Sequence, residues 1–306
     1  MSNIPYILSP GQEHALNAAL KLNQPLLLTG EPGTGKTMMA QWAVQYLNEK
    51  YNNSFHPEVL RFMTKTTSKA TDLLYAYDAL SHFQAANIRG DHQSQTAQFI
   101  ELQALGKAIA LSNPKPEYAR LFRWQMPDRP QNAVVLIDEV DKAPRDFTND
   151  LLDELVHYRF SVKEQDGAEI TKAPDAKIVV ILTSNSEKNL PDAFLRRCAF
   201  YHIKFPEGAQ LRQIVEANLN INNNDHTKAA YDKLFQFFQT VREKALRKKP
   251  ATAELIAWLR LLGDDGYLSQ PDADARRHLV EQNLSFLVKT REDLEALEGL
   301  IAKADL

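Results

Sequence analysis

Residues 25–37 read Pro-Leu-Leu-Leu-Thr-Gly-Glu-Pro-Gly-Thr-Gly-Lys-Thr, and the fold turns on them. The apolar run Pro25–Leu28 leads into Gly30-Glu31-Pro32-Gly33-Thr34-Gly35-Lys36-Thr37, a complete G-x-x-x-x-G-K-T loop, and Met38 to Leu47 then suits a helix. Strand, loop and helix in that order are the context this phosphate-binding motif requires. Glycine tolerates backbone angles and close approaches that a Cβ forbids, so Gly30, Gly33 and Gly35 let the chain wrap a triphosphate. Backbone N–H groups and the helix N-terminus then face the anionic oxygens. Lys36 is placed to reach the β- and γ-phosphates, and the Thr37 hydroxyl to ligate Mg²⁺. The expected nucleotide contacts therefore run from Gly30 to Met38.

A second motif supplies the acids. Four aliphatic residues, Val134 to Ile137, precede Asp138 and Glu139. At the end of a buried strand, Asp138 stands beside the phosphate loop and can hold the Mg²⁺ shell, usually through water. Glu139 is suited to orient and polarise an attacking water. An adjacent glutamate favours hydrolysis over transfer to a small-molecule acceptor, where an activated water is unwanted.

Composition narrows the class. A formal net charge of −3 gives no global positive field toward nucleic acid or acidic membranes. One cysteine, Cys198, excludes an internal disulfide framework and any multi-cysteine metal site, and reads as a small buried apolar residue. No basic-then-apolar leader opens the sequence, and no run approaches the roughly 18–20 apolar residues that span a bilayer. A reducing cytoplasm is the expected setting.

Apolar runs bounded by turn residues mark the expected strands: Leu26–Thr29, Val59–Met63, Ala133–Ile137, Lys177–Leu182 and Phe200–Lys204. Helical patterns separate most of them, which predicts an α/β doubly wound parallel sheet. Residues 67–131 form a connection too long to be structureless, with helical candidates at Ala70–Ala86 and Gln98–Leu111 flanking polar Gly90–Gln95. Phe160–Val162 and Ala168–Ile170 flank Asp166-Gly167, a strong hairpin signal. Beyond Pro206 only helical patterns follow. Leu211, Ile214, Val215 and Leu219 hold one apolar face, and Leu234, Phe237, Phe238 and Val241 the next. Further helices are expected at Thr252–Leu262, Ala273–Leu287 and Arg291–Ala304. The expected domains are an α/β nucleotide-binding domain over 1–206 and an all-helical one over 207–306.

Three more stretches carry polar residues at informative places. Asp141-Lys142-Ala143-Pro144-Arg145 follows the acids, with Pro144 in the first turn of a helix that buries Phe147, Leu151, Leu152 and Leu155. Asn185 ends the run Ile178–Ser184; it either hydrogen-bonds the lytic water or γ-phosphate or is an ordinary turn residue. A short helix from Asn189 ends in Arg196-Arg197, which either complement the helix dipole or reach into a neighbouring subunit.

The blocks GEPGTGKT, VVLIDEVDKA, VVILTSN and LPDAFLRRC, in this order, resemble the AAA+ ATPases over Leu26 to Lys204, and the helical tail is similar to their lid. The stretch DEVDKAPRDFTNDLLDEL and the hairpin before TSN are most similar to the MoxR and dynein-related branch. The resemblance implies ATP with Mg²⁺ rather than GTP. It implies Walker roles for Lys36, Thr37, Asp138 and Glu139, and the sensor-1 role for Asn185. Arg197 is the preferred arginine finger acting in trans, with Arg196 second. A hexameric ring is implied, as is a chaperone-like action on protein partners, von Willebrand A-domain proteins among them. The sensor-2 arginine that the resemblance expects at the start of the lid's third helix does not stand there, where Ala253 or Glu254 is found: either the register differs, or nearby Arg247, Lys248 or Lys249 substitutes, or the contact is missing. Two other functions compete. One is a nucleic-acid motor or loader, suggested by the run Arg242, Lys244, Arg247, Lys248 and Lys249, though Glu243 interrupts it. The other is a nucleotide-gated scaffold that turns over only with a partner.

Overall fold

A computed structural model of the chain describes residues 6–89, 96–186, 190–219, 225–245, 247–301 and 304. Gly90–Gln95 and Asn189 lie outside the described residues. The chain begins with α1 (Pro10–Leu22), β1 (Leu26–Gly30), α2 (Lys36–Lys50), β2 (Leu60–Met63), β3 (Tyr75–Tyr77), α3 (Ala79–Arg89), β4 (Ile100–Leu102) and α4 (Ala104–Ser112). It continues through β5 (Ala133–Asp138), α5 (Arg145–His157), β6 (Arg159–Val162), β7 (Ala168–Thr171), β8 (Ile178–Ser184), α6 (Asp192–Leu195) and β9 (Ala199–Ile203). Helices α7 (Gly208–Leu219), α8 (Asp225–Lys244), α9 (Thr252–Asp264), α10 (Ala273–Gln282) and α11 (Arg291–Ile301) complete it. Two compact units result. One holds Leu8–Gly30 and Gly35–Ile203; the other gathers Lys204–Leu306 and includes Glu31–Thr34, the crest of the phosphate loop.

The first unit is built on a parallel sheet in the order β2-β5-β8-β1-β9. Every residue of β1, β5 and β8 is buried, which is why they read as unbroken apolar runs. Edge strand β2 instead alternates half-buried and exposed. The predicted inner face of α5 is borne out: Phe147, Leu151, Leu152 and Leu155 join the core below the sheet strands. This is a P-loop architecture with a helical C-terminal part.

The long connection differs from its helical reading. Ala70–Leu73 is a 3₁₀ turn, and Tyr75–Tyr77 is a strand paired antiparallel with β4, Tyr75 opposite Leu102 and Tyr77 opposite Ile100. Three-residue strands are too short for period to declare them; partners far along the chain decide them. The same pairing splits Gln98–Leu111 into β4 and α4. There Gly106 packs so closely on the preceding segment that an added Cβ would lie 1.9 Å from the Leu74 carbonyl oxygen. Gly106→Ala is therefore expected to destabilise the fold by about 2–3 kcal/mol through overpacking, although alanine is the better helix former. Urea unfolding measures it, and a gain in stability would contradict the packing.

The β6–β7 hairpin has the expected strands, with Phe160 opposite Ile170 and Val162 opposite Ala168. Its connection is wider than a two-residue Asp-Gly turn. Lys163–Gln165 forms a 3₁₀ turn before Asp166 and Gly167, both at positive φ. Phe160, Val162 and Ile170 are buried, and Phe160 stacks on Tyr75 with ring centroids 6.1 Å apart.

The helical unit has its own core. Leu211 and Val215 of α7, Leu234, Phe237, Phe238 and Val241 of α8, and Leu255, Trp258, Leu259 and Leu262 of α9 are all buried in it. The helix expected to run to Leu287 ends at Gln282. Asn283 explains the stop: its amide donates to the Leu279 carbonyl and to Asp265 Oδ2, both at 2.9 Å, and a 3₁₀ turn follows. No described helix is long and apolar enough to cross a membrane.

Candidate nucleotide site

Parallel strands carry their C-terminal ends to one edge of a sheet, which is where α/β proteins place ligands. Here β8 lies between β1 and β5 and brings their ends together. The loop after β1 turns into α2 at Gly35, whose φ of 83° is one that a side chain would strain. Met39 N–H already bonds the Gly35 carbonyl at 3.1 Å, so the helix begins immediately after the loop. Thr34 is buried and its hydroxyl donates to the Glu31 carbonyl at 2.8 Å, closing the crest of the loop on itself. Pro32, Gly33 and Met38 are exposed.

Lys36 is the organising cation. Its side chain is buried, and Nζ donates to the Gly30 carbonyl at 2.7 Å and to Asn185 Oδ1 at 2.9 Å. The second bond brings the polar residue after β8 to the phosphate loop. Thr37 Oγ1 donates to Asp138 at 3.3 Å (Oδ2) and 3.4 Å (Oδ1). Asp138 is buried, and it also accepts from Thr183 Oγ1 and, at 2.5 Å, from Arg61 of β2. A hydroxyl and a carboxylate side by side are hard oxygen donors, the set suited to Mg²⁺. No group of three or more acidic, histidine or cysteine side chains forms a metal cage among the described residues.

Glu139 sits at φ 59°, ψ 48°, an unusual left-handed conformation for a non-glycine residue. Its N–H donates to Thr183 Oγ1 at 2.9 Å, and its carboxylate accepts from Lys142 Nζ at 2.5 Å. The carboxylate in turn raises the Lys142 pKa by accepting that hydrogen bond. Asp138 is the last residue of β5, in register with Met63 of β2, and the left-handed residue after it ends the strand. Arg196 and Arg197 follow α6 and are exposed. Among the described residues neither guanidinium has a side-chain hydrogen bond or ion pair. Cys198 beside them is buried, donates to the Phe194 carbonyl at 3.3 Å, and burial pushes its thiol up to about 12. It packs as the sequence reading expected.

Four polar partners of this site were not singled out for it from the sequence. Thr183 joins both acids, Lys142 meets Glu139, Arg61 meets Asp138, and Arg242 meets Glu31. Lys142 lies three residues after Glu139, so its spacing was a usable signal. Arg61 and Arg242 are brought in by strand order and helix packing, which leave no local mark.

No curated protein matches the chain. Among solved structures it is similar to the structure of C. elegans PCH-2, with a TM-score of 0.45 and 16% identity over 98% of this chain and 70% of that one. The family model described as "ATPase family associated with various cellular activities (AAA)" matches residues 26–207, more than half of the chain. That span runs from β1 through the phosphate loop, the acids and Asn185 to the end of β9, and the chain accordingly belongs to the AAA family, nucleotide-binding ATPases that hydrolyse ATP.

Proposed function

We propose that this chain is a MoxR-type AAA+ ATPase that assembles into a hexameric ring and uses Mg²⁺-ATP hydrolysis to remodel protein partners. The α/β ATPase domain spans 1–206 and the helical lid 207–306. The observation that carries the reading is that consecutive residues of the phosphate loop hold both polar strand ends, Lys36 bonding Asn185 and Thr37 bonding Asp138, with Arg197 exposed outside these pairs.

In this reading the loop Gly30–Met38 binds the triphosphate, with Lys36 on its β- and γ-oxygens. Thr37 and Asp138 would hold Mg²⁺, which would supply charge neutralisation on the phosphates. Glu139 accepts the proton of the attacking water, and Asn185 holds that water or the γ-phosphate in line. Arg197 enters the neighbouring subunit's site and stabilises charge on the transferred group, with Arg196 as the second choice. Loss of the γ-phosphate removes contacts that tie one subunit to the next, and the subunits reorient. The β6–β7 hairpin is the element proposed to pass this motion to the partner. The similarity of DEVDKAPRDFTNDLLDEL to the MoxR branch supports a partner of the von Willebrand A-domain class.

The basic run gives a nucleic-acid reading little support. Arg242 is engaged with Glu31 and Arg247 with Glu292, so two of its cations are already paired.

Phosphate release per subunit, followed against protein concentration with Glu139→Gln as background, tests the assembly. The specific rate is expected to climb steeply and then plateau as rings complete the sites. A rate no higher than the control at every concentration, with nucleotide still bound, would leave only a partner-dependent switch.

A further inference from the structure

The phosphate loop carries a negative charge of its own. Glu31 lies directly after Gly30, among residues whose N–H groups are expected to face phosphate oxygens, where a carboxylate opposes anion binding. The crest Glu31–Thr34 belongs to the same compact unit as the C-terminal helices. Within that unit Arg242, at the end of α8, places its guanidinium 2.9 Å from Glu31 Oε2. The arginine is held from three sides. Its Cζ lies 3.4 Å from the centroid of the Phe205 ring, and Nη1 donates to the Pro250 carbonyl. Phe205 in turn leans on Phe238, a fully buried core residue of α8, with centroids 6.4 Å apart. The Arg242 side chain is only 13% exposed, so the ion pair is partly shielded from solvent. The same crest also runs close to the residue before α9: a Cβ added at Gly33 would fall 2.9 Å from that of Ala251.

The candidate substitutes for the lid arginine, Arg247, Lys248 and Lys249, lie on the segment after α8. Arg247 pairs with Glu292, and the N–H groups of Arg247 and Lys248 are tied to Asp293 at 3.0 and 3.1 Å. The cation that reaches the loop crest comes instead from the preceding helix.

We infer that Arg242 is a positioning residue for nucleotide binding. It neutralises Glu31 at the crest of the phosphate loop, so that the loop presents its N–H groups to the triphosphate without an opposing charge. Arg242 acts through Glu31 and not by touching the nucleotide.

The inference rests on nucleotide binding at this loop, so Lys36→Ala is measured alongside and must abolish binding. The probe is a fluorescent N-methylanthraniloyl ATP with Mg²⁺, titrated into the full chain, with dissociation constants read before turnover. Arg242→Met is expected to weaken binding about tenfold, and Arg242→Lys, which keeps the charge, by no more than about threefold. In a Glu31→Gln background the Arg242→Met effect is expected to shrink to less than about twofold, because the charge it balanced is gone. A full tenfold loss that persists in that background would overturn the inference and assign Arg242 to packing on Phe205 and Pro250. So would unchanged binding in Arg242→Met, or Arg242→Lys binding as poorly as Arg242→Met. Failure of the wild-type chain to bind the probe would instead overturn the nucleotide site itself. Thermal melts of each variant separate loss of affinity from loss of fold, and Arg242→Lys carries the test if Arg242→Met does not fold.

Discussion

Arg197→Ala is expected to lower the plateau rate of phosphate release by about 10³-fold or more, the usual loss when an arginine finger is removed. Nucleotide affinity of the isolated subunit should change little, because Arg197 is exposed and makes no side-chain hydrogen bond or ion pair with the described residues of its own site. Mixing decides whether the arginine acts between subunits. An Arg197→Ala subunit keeps its own Lys36, Asp138 and Glu139, whereas a Glu139→Gln subunit keeps Arg197. Mixed together, the two inactive proteins should recover a measurable fraction of wild-type turnover, since each Arg197→Ala site can border a subunit that still carries the arginine. Mixtures as inactive as their components, in rings shown by sizing to have exchanged subunits, would rule out action in trans. If Arg196→Ala shows the loss and the recovery instead, the finger is the neighbouring residue.

Glu139→Gln should reduce turnover by about 10²–10⁴-fold, the span associated with losing a general base. Binding of Mg²⁺-ATP should survive. The substitution keeps the side chain's size and leaves the N–H bond to Thr183 in place. It also leaves an amide oxygen that can still accept from Lys142. The variant is therefore expected to melt close to wild type and to hold ATP in an assembled ring, visible as a larger particle by sizing with ATP than with ADP. Equal losses in affinity and turnover would assign Glu139 to loop structure, a role its positive φ makes worth separating from chemistry. A single-turnover measurement distinguishes the two, because a lost base slows the chemical step after binding is complete.

The parts of the candidate site legible in the sequence are those in which one local segment supplies both geometry and chemistry. In GEPGTGKT the glycines, the lysine and the helix start are fixed by neighbours along the chain. The runs ending in Asp138 and Asn185 are legible for a related reason: strands buried on both faces must be apolar throughout, so a polar residue at the end of one stands out. The helical unit announced itself through faces such as Leu234, Phe237, Phe238 and Val241, all buried as their spacing required. Local pattern failed at Tyr75–Tyr77 and Ile100–Leu102, strands of three residues that form only because distant partners pair with them, while residues 79–86 are helical as their pattern required. It also missed the stop of α10, which depends on Asn283 reaching Asp265.

The sequence alone therefore determined the fold class, the phosphate loop and the two acids, because each is specified by contiguous residues under a strong backbone or burial constraint. Only the tertiary structure decided which cations serve those groups. Arg61 reaches Asp138 because β2 lies beside β5, and Arg242 reaches Glu31 because Phe205 and Pro250 hold its side chain in place. An ion pair is selected by distance in space and by the burial around it, and neither quantity is written in residue spacing.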